Sequence, residues 1–219
     1  MGTDSGWLEA IEASVPDLAE VYRAYVAGDR VRLRRELRHR SGVGSAPRIG
    51  PQLDATAGAL ASVIAGMPDE SFALPGGEAD WTVSEAVGHD IDARDLLTAA
   101  AALAARGRWP ADAPPVVPSV PGKAGATRAE LLERLDKSRR RVGRAVEAVA
   151  GHESDECPLD HPQAGRMLCG QWLLWAGVHD LLHLEQLHAP ASDAKAEAAA
   201  HAESQAGLSG GSKRESRTS

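Results

Sequence analysis

The chain has 219 residues, 43% of them hydrophobic and 25% charged, enough for one substantial core with accessory segments and too little for two independent domains. A formal net charge of -7 argues against nucleic acid as a general partner, because neutralising phosphates takes clustered Lys and Arg on a basic surface. No apolar run reaches the roughly 20 residues that cross a bilayer, and Met1–Asp4 lacks the basic and apolar regions of a secretory leader, so a cytoplasmic protein with no membrane partner is expected. Cys157 and Cys169 make neither a disulfide framework nor a Cys-x-x-Cys ribbon and read as incidental thiols.

From the N-terminus, Leu8, Ile11, Val15, Leu18, Val21, Tyr22 and Tyr25 recur at helical spacing, with Pro16 as a restart and Gly28 as a stop. The six arginines between Arg30 and Arg40, interleaved with Val31, Leu33 and Leu37, predict a helix with a solvated cationic face; a polyanion site is the rarer alternative. Residues 1–46 form a helical N-terminal extension on this reading, and Ser41–Gly50 is a hinge to the main body. Pro51 then opens a helix striped by Leu53, Ala57, Leu60, Ile64 and Met67 and closed by Pro68.

The next two helices carry the strongest start signals. Thr82-Val-Ser-Glu85 and Thr127-Arg-Ala-Glu130 are capping boxes, in which the Thr hydroxyl accepts from an orphan amide and the Glu reaches back to the Thr amide. Trp81 stands where it can pack over the first turn. These helices run to about Arg106 and to Gly151, and a fourth runs from about Met167 to Ala189. No segment alternates β-branched residues convincingly, so an all-α chain is expected. Residues 191–219 hold almost nothing to bury and predict a disordered tail.

Gly107–Ala126 carries five prolines and is longer than a helical hairpin needs. About twenty extended residues span about 65 Å, more than the roughly 37 Å length of a 25-residue helix. Such a crossover would return the chain along the bundle and give an up-down-down-up order.

His179 and His183 are four apart and share one helix face, the spacing at which a helix offers two ligands to one ion. The stripe through Trp172 and Trp175 puts His179 among buried positions, where both ring nitrogens need partners. His89, two turns past Thr82, falls at nearly the same depth if the second and fourth helices are antiparallel. Three imidazoles on two helices would leave open metal positions, as in catalytic sites; the alternative is three histidines satisfied by hydrogen bonds.

A zinc-protease reading fails, because Asp180 stands where that motif has Glu and position 189 is Ala. His161 is expected to border a pocket, whereas His152, His188 and Cys157 are left to loops or helix ends. Asp92 has two readings, an orienting partner of His89 or a solvent-facing carboxylate. No residue stands out as an obligatory acid or base.

The runs Trp81-Thr-Val-Ser-Glu-Ala-Val-Gly-His89 and His179-Asp-Leu-Leu-His183-Leu-Glu-Gln186 resemble the DinB/YfiT-like superfamily of metal-binding four-helix bundles, over roughly residues 51–190. The extension and the tail have no counterpart in the resemblance. It implies an up-down-down-up bundle and one divalent metal on His89, His179 and His183, zinc first, nickel or iron as alternatives. That superfamily includes mycothiol and bacillithiol S-transferases and a mycothiol-dependent maleylpyruvate isomerase. A small-molecule substrate with mycothiol or bacillithiol as co-substrate is therefore implied, and a metal-dependent S-transferase or thiol-dependent isomerase is the expected function. A hydrolase or lyase using metal-bound water and a non-catalytic metal-binding bundle are the alternatives, and a homodimer is the candidate assembly.

Overall fold

Pro16 lacks the amide that would continue a preceding helix and suits a first turn, so the N-terminal segment divides into α1, Gly6–Glu12, and α2, Pro16–Val26. The computed structural model describes residues 6–76, 80–114, 116–162 and 164–188; the expected tail, 191–219, lies outside them. Gly28, at φ 67°, turns the chain out of α2, and Asp29 caps α3, Arg30–Arg40, by accepting from the Arg32 amide. Three of the six arginines of α3 meet carboxylates of the N-terminal segment: Arg32 pairs with Glu20, Arg35 and Arg40 with Glu36, and Arg40 also with Asp17.

The expected hinge at Ser41–Gly50 is not found. Helix α4 spans Ala46–Gly66, with Pro51 inside it, so the helix starts five residues before the proline that was read as its opening. Long-range contacts outweigh that local signal. The Ala46 amide donates to the buried carboxylate of Glu153 (3.1 Å), placing negative charge at the helix N-terminus, and Ala46 and Ile49 are fully buried. Gly170 passes so close to Ser41 that a Cβ there would lie 2.4 Å from its carbonyl oxygen. The N-terminal helices share the core of the body: the Gln52 side chain accepts from the Asp17 amide and donates to its carboxylate, and Leu18 packs onto Gly177, where a Cβ would lie 2.5 Å from a Leu18 methyl.

Both capping boxes form. Thr82 and Glu85 start α5, Val83–Ala105, and Thr127 and Glu130 start α6, Arg128–Val149. Asp92 pairs with Arg134 and Asp95 with Arg141, so α5 and α6 advance in the same direction. Asp54 pairs with Arg139, and Arg128 donates to the Met67 carbonyl, so α4 runs against α6. The last helix, α7, covers residues 169–188, and Leu53 against Gly177 and Thr56 against Asp180 align it with α4.

The all-α expectation needs one correction. Between α6 and α7 lies a two-stranded antiparallel ribbon, β1 Glu156–His161 and β2 Gly165–Leu168. Its signal is short and contains Pro158, which argues against a strand inside a sheet, yet in a two-stranded ribbon both strands are edges and a missing amide is tolerated. The period of two is present: Cys157 and Leu159 are buried while Glu156 and Pro158 are exposed. Both cysteines are buried free thiols. Among the described residues no helix is long and apolar enough to cross a membrane.

Candidate metal centre

His89 lies on α5, and His179 and His183 face it from α7. One ligating atom from each imidazole lies within 4.8 Å of the other two, and the ring centroids are 5.3, 5.3 and 4.6 Å apart. Trp81, one residue before the cap of α5, lies over His89 at 4.8 Å.

Two of the rings have their tautomers fixed by groups that only accept. His89 Nδ1 is 2.7 Å from the Val120 carbonyl oxygen and His179 Nδ1 is 3.1 Å from Asp90 Oδ1, so each Nδ1 carries the proton and each Nε2 the lone pair. His183 is 4% exposed, and burial lowers its pKa to about 4 against the pull of Asp90, so it is neutral near pH 7.

The crossover segment reaches His89 because two glycines let the backbones meet. The Gly122 amide donates to the Glu85 carbonyl (3.0 Å), and a Cβ on Gly122 would lie 2.5 Å from the Gly88 Cα. That approach holds the Val120 carbonyl against His89 Nδ1. Of the two readings of Asp92 the solvent-facing one holds: its side chain is 61% exposed and paired with Arg134.

Behind the imidazoles sits a buried polar layer. Arg94, 1% exposed, donates to Asp180, to the Thr56 hydroxyl (3.2 Å) and to the Leu53 carbonyl (2.7 Å). Burial pushes the Asp180 carboxyl up to about 7 against the pull of Arg94, and the Asp90 charge adds to the rise. Burial would raise Asp90 as well, but His183, His179 and Arg94 outweigh it and hold the group below the ordinary carboxylate range. One guanidinium thus faces two buried carboxylates, and Asp90 Oδ2 has no hydrogen-bond partner among the described residues. Three imidazoles in front of the buried Asp90 carboxylate fit a cation.

The three histidines line a cavity of about 390 Å³ together with Tyr25, Trp175, His161 and Val117. His161 borders it as expected, its ring 4.3 Å from that of Trp175, and burial with His179 nearby lowers its pKa to about 4. A larger cavity, about 800 Å³ between Phe72 and Arg128, includes none of the imidazoles.

Helical spacing in the sequence marks the three histidines but not Asp90, Arg94, Asp180 or Tyr25 as site residues. A signal for the first two existed: α5 is apolar around most of its circumference, so Asp90 and Arg94 inside it had to be buried and paired. The Val120 contact is made by a backbone oxygen and leaves no mark on residue type. Residues 52–187 match the DinB superfamily. No curated protein and no solved structure matches the chain. The match covers more than half of the chain and contains the Trp-led capping box, His89 and the paired histidines of α7, and the chain belongs to the DinB superfamily.

Proposed function

We propose that His89, His179 and His183 hold one divalent metal ion, zinc first, and that the chain is a metal-dependent enzyme joining a low-molecular-weight thiol to a small electrophile or using that thiol to isomerise one. The observation that carries the metal is the convergence of three imidazole ligating atoms within 4.8 Å, in front of a buried carboxylate oxygen with no hydrogen-bond partner among the described residues. Superfamily membership supports the thiol. An up-down-down-up bundle belongs to the same reading, supported by α5 and α6 advancing together, α4 running against α6, and α7 following α4.

When bound, the ion would supply positive charge that favours the thiolate form of a thiol near neutral pH. The residues of the chain position and shield. Val120 and Asp90 fix two imidazoles with Nε2 as the ligating atom, and Trp81 and Trp175 wall the site with apolar surface. The Arg94–Asp180 pair anchors α5 to α7 directly behind the histidines.

Asp90→Asn keeps an acceptor for His179 Nδ1 but removes its charge, and metal affinity is expected to fall about 10- to 100-fold. Competition against a chromophoric chelator measures it; an unchanged affinity would contradict the orienting role. For activity, monochlorobimane should be offered to the zinc-loaded protein with mycothiol, with bacillithiol and without thiol. Conjugate formation above the uncatalysed rate is expected only with both metal and thiol. Metal-dependent turnover of a substrate that ignores every thiol would replace this reading with hydrolase or lyase chemistry.

A further inference from the structure

The superfamily match begins at residue 52, yet part of the cavity wall comes from before it. Tyr25, on α2, packs edge-on against Trp175 with ring centroids 5.3 Å apart, and both line the cavity that holds the imidazoles. One turn earlier, Tyr22 is 4% exposed, and its hydroxyl meets the carboxylate of Glu185 on α7. Burial first and Glu185 second raise the pKa of that hydroxyl, so it remains a donor to the carboxylate. Glu185 also lines the cavity, two residues past His183 and half-buried. The N-terminal helices therefore contribute one aromatic wall and hold the carboxylate in the other.

The chemistry of this wall is one-sided. Among the described residues that line the cavity, Glu185 is the one carboxylate and there is neither Lys nor Arg; the remainder is mainly apolar or aromatic, with His, Ser and Gln. The ion of the reading above would sit at the imidazole end; at the Glu185 end a carboxylate or phosphate would desolvate its charge against apolar surface with no Lys or Arg to receive it and with Glu185 repelling it. An ammonium would meet the opposite: a carboxylate and two aromatic rings, the combination that recognises organic cations. The volume of about 390 Å³ suits a small molecule.

We infer that Glu185, with Tyr25 and Trp175, selects ligands that present a cationic amine beside the group directed at the three histidines, and disfavours anionic ones. This rests on the metal-and-thiol reading above and adds the charge of the ligand to it. It also gives α2 a part in specificity.

The test uses the zinc-loaded full chain and three thiols of similar size: cysteamine (cationic), 2-mercaptoethanol (neutral) and mercaptoacetate (anionic). Dissociation constants are measured by calorimetry for the wild type, Glu185→Gln, Glu185→Lys and Tyr25→Ala, with zinc content checked for each. Taking the cysteamine-to-mercaptoacetate affinity ratio of each variant relative to wild type cancels the differing acidities of the thiols. Glu185→Gln is expected to lower that ratio about tenfold and Glu185→Lys to lower it further, into preference for the anion. Tyr25→Ala should weaken cysteamine more than mercaptoacetate with zinc content unchanged. Binding of all three thiols with the same ratio in every variant would overturn this inference alone. Binding of no thiol by the zinc-loaded wild type would overturn the thiol reading of the site and this inference with it.

Discussion

Replacing Arg94 with methionine is expected to destabilise the fold by about 3–5 kcal/mol, the range for removing one partner of a buried ion pair. Arg94 and Asp180 are 1% and 0% exposed at their side chains, so no water replaces the lost partner. The substitution leaves Asp180 buried beside Asp90 without the pull of Arg94, removes one of the donors to the Leu53 carbonyl and leaves the Thr56 hydroxyl as the hydrogen-bond donor to Asp180 among the described residues. In a chain of this size such a loss corresponds to a fall in Tm on the order of 10 °C. Adding Asp180→Leu should recover much of the loss, because two apolar side chains of similar volume avoid the desolvation that the lone carboxylate suffers. Thermal melts of both single variants and the double variant measure this. An Arg94→Met melt within about 2 °C of the wild type would show that the pair does not anchor α5 to α7.

The same pair explains why part of the site could be read from the sequence and part could not. Helical periodicity and capping chemistry are local, so α5 and α6 start where Thr82-x-x-Glu85 and Thr127-x-x-Glu130 place them, and His89 on α5 and the His179–His183 pair on α7 follow from spacing within their helices. Asp180 looked like a defective copy of a catalytic glutamate because the sequence does not show that it points away from the imidazoles, toward Arg94 and Thr56. The hinge reading failed for a related reason. Pro51 and the Gly/Ser run are local signals, whereas Glu153 capping Ala46 joins residues 107 positions apart. The ribbon carrying His161 was missed because Pro158 masked a short alternation that only tertiary contact makes stable.

Position within the fold also changes what the N-terminal helices mean. Their stripe through Leu18, Tyr22 and Tyr25 reads in the sequence as a separate amphipathic segment. In the folded chain Leu18 sits against Gly177, Tyr25 against Trp175 and Tyr22 against Glu185, all on the helix that carries two of the three histidines. Changes in that stripe should therefore be felt in the cavity.

The central claim is that three imidazoles on two helices bind one metal ion, and elemental analysis tests it most directly. His89, His179 and His183 are the cluster of metal-ligating side chains found among the described residues, and each offers one nitrogen within 4.8 Å of the others. Removing all three rings leaves Asp90 and Asp180 behind an apolar wall, with Arg94 already engaged. The full-length wild type and a His89→Ala, His179→Ala, His183→Ala variant should each be stripped with chelator, returned to a small excess of zinc, desalted and analysed for metal, with circular dichroism confirming that both are folded. The wild type is expected to retain about one zinc per chain and the variant close to none. Equal metal content in the two proteins, or none in the wild type, would contradict the account.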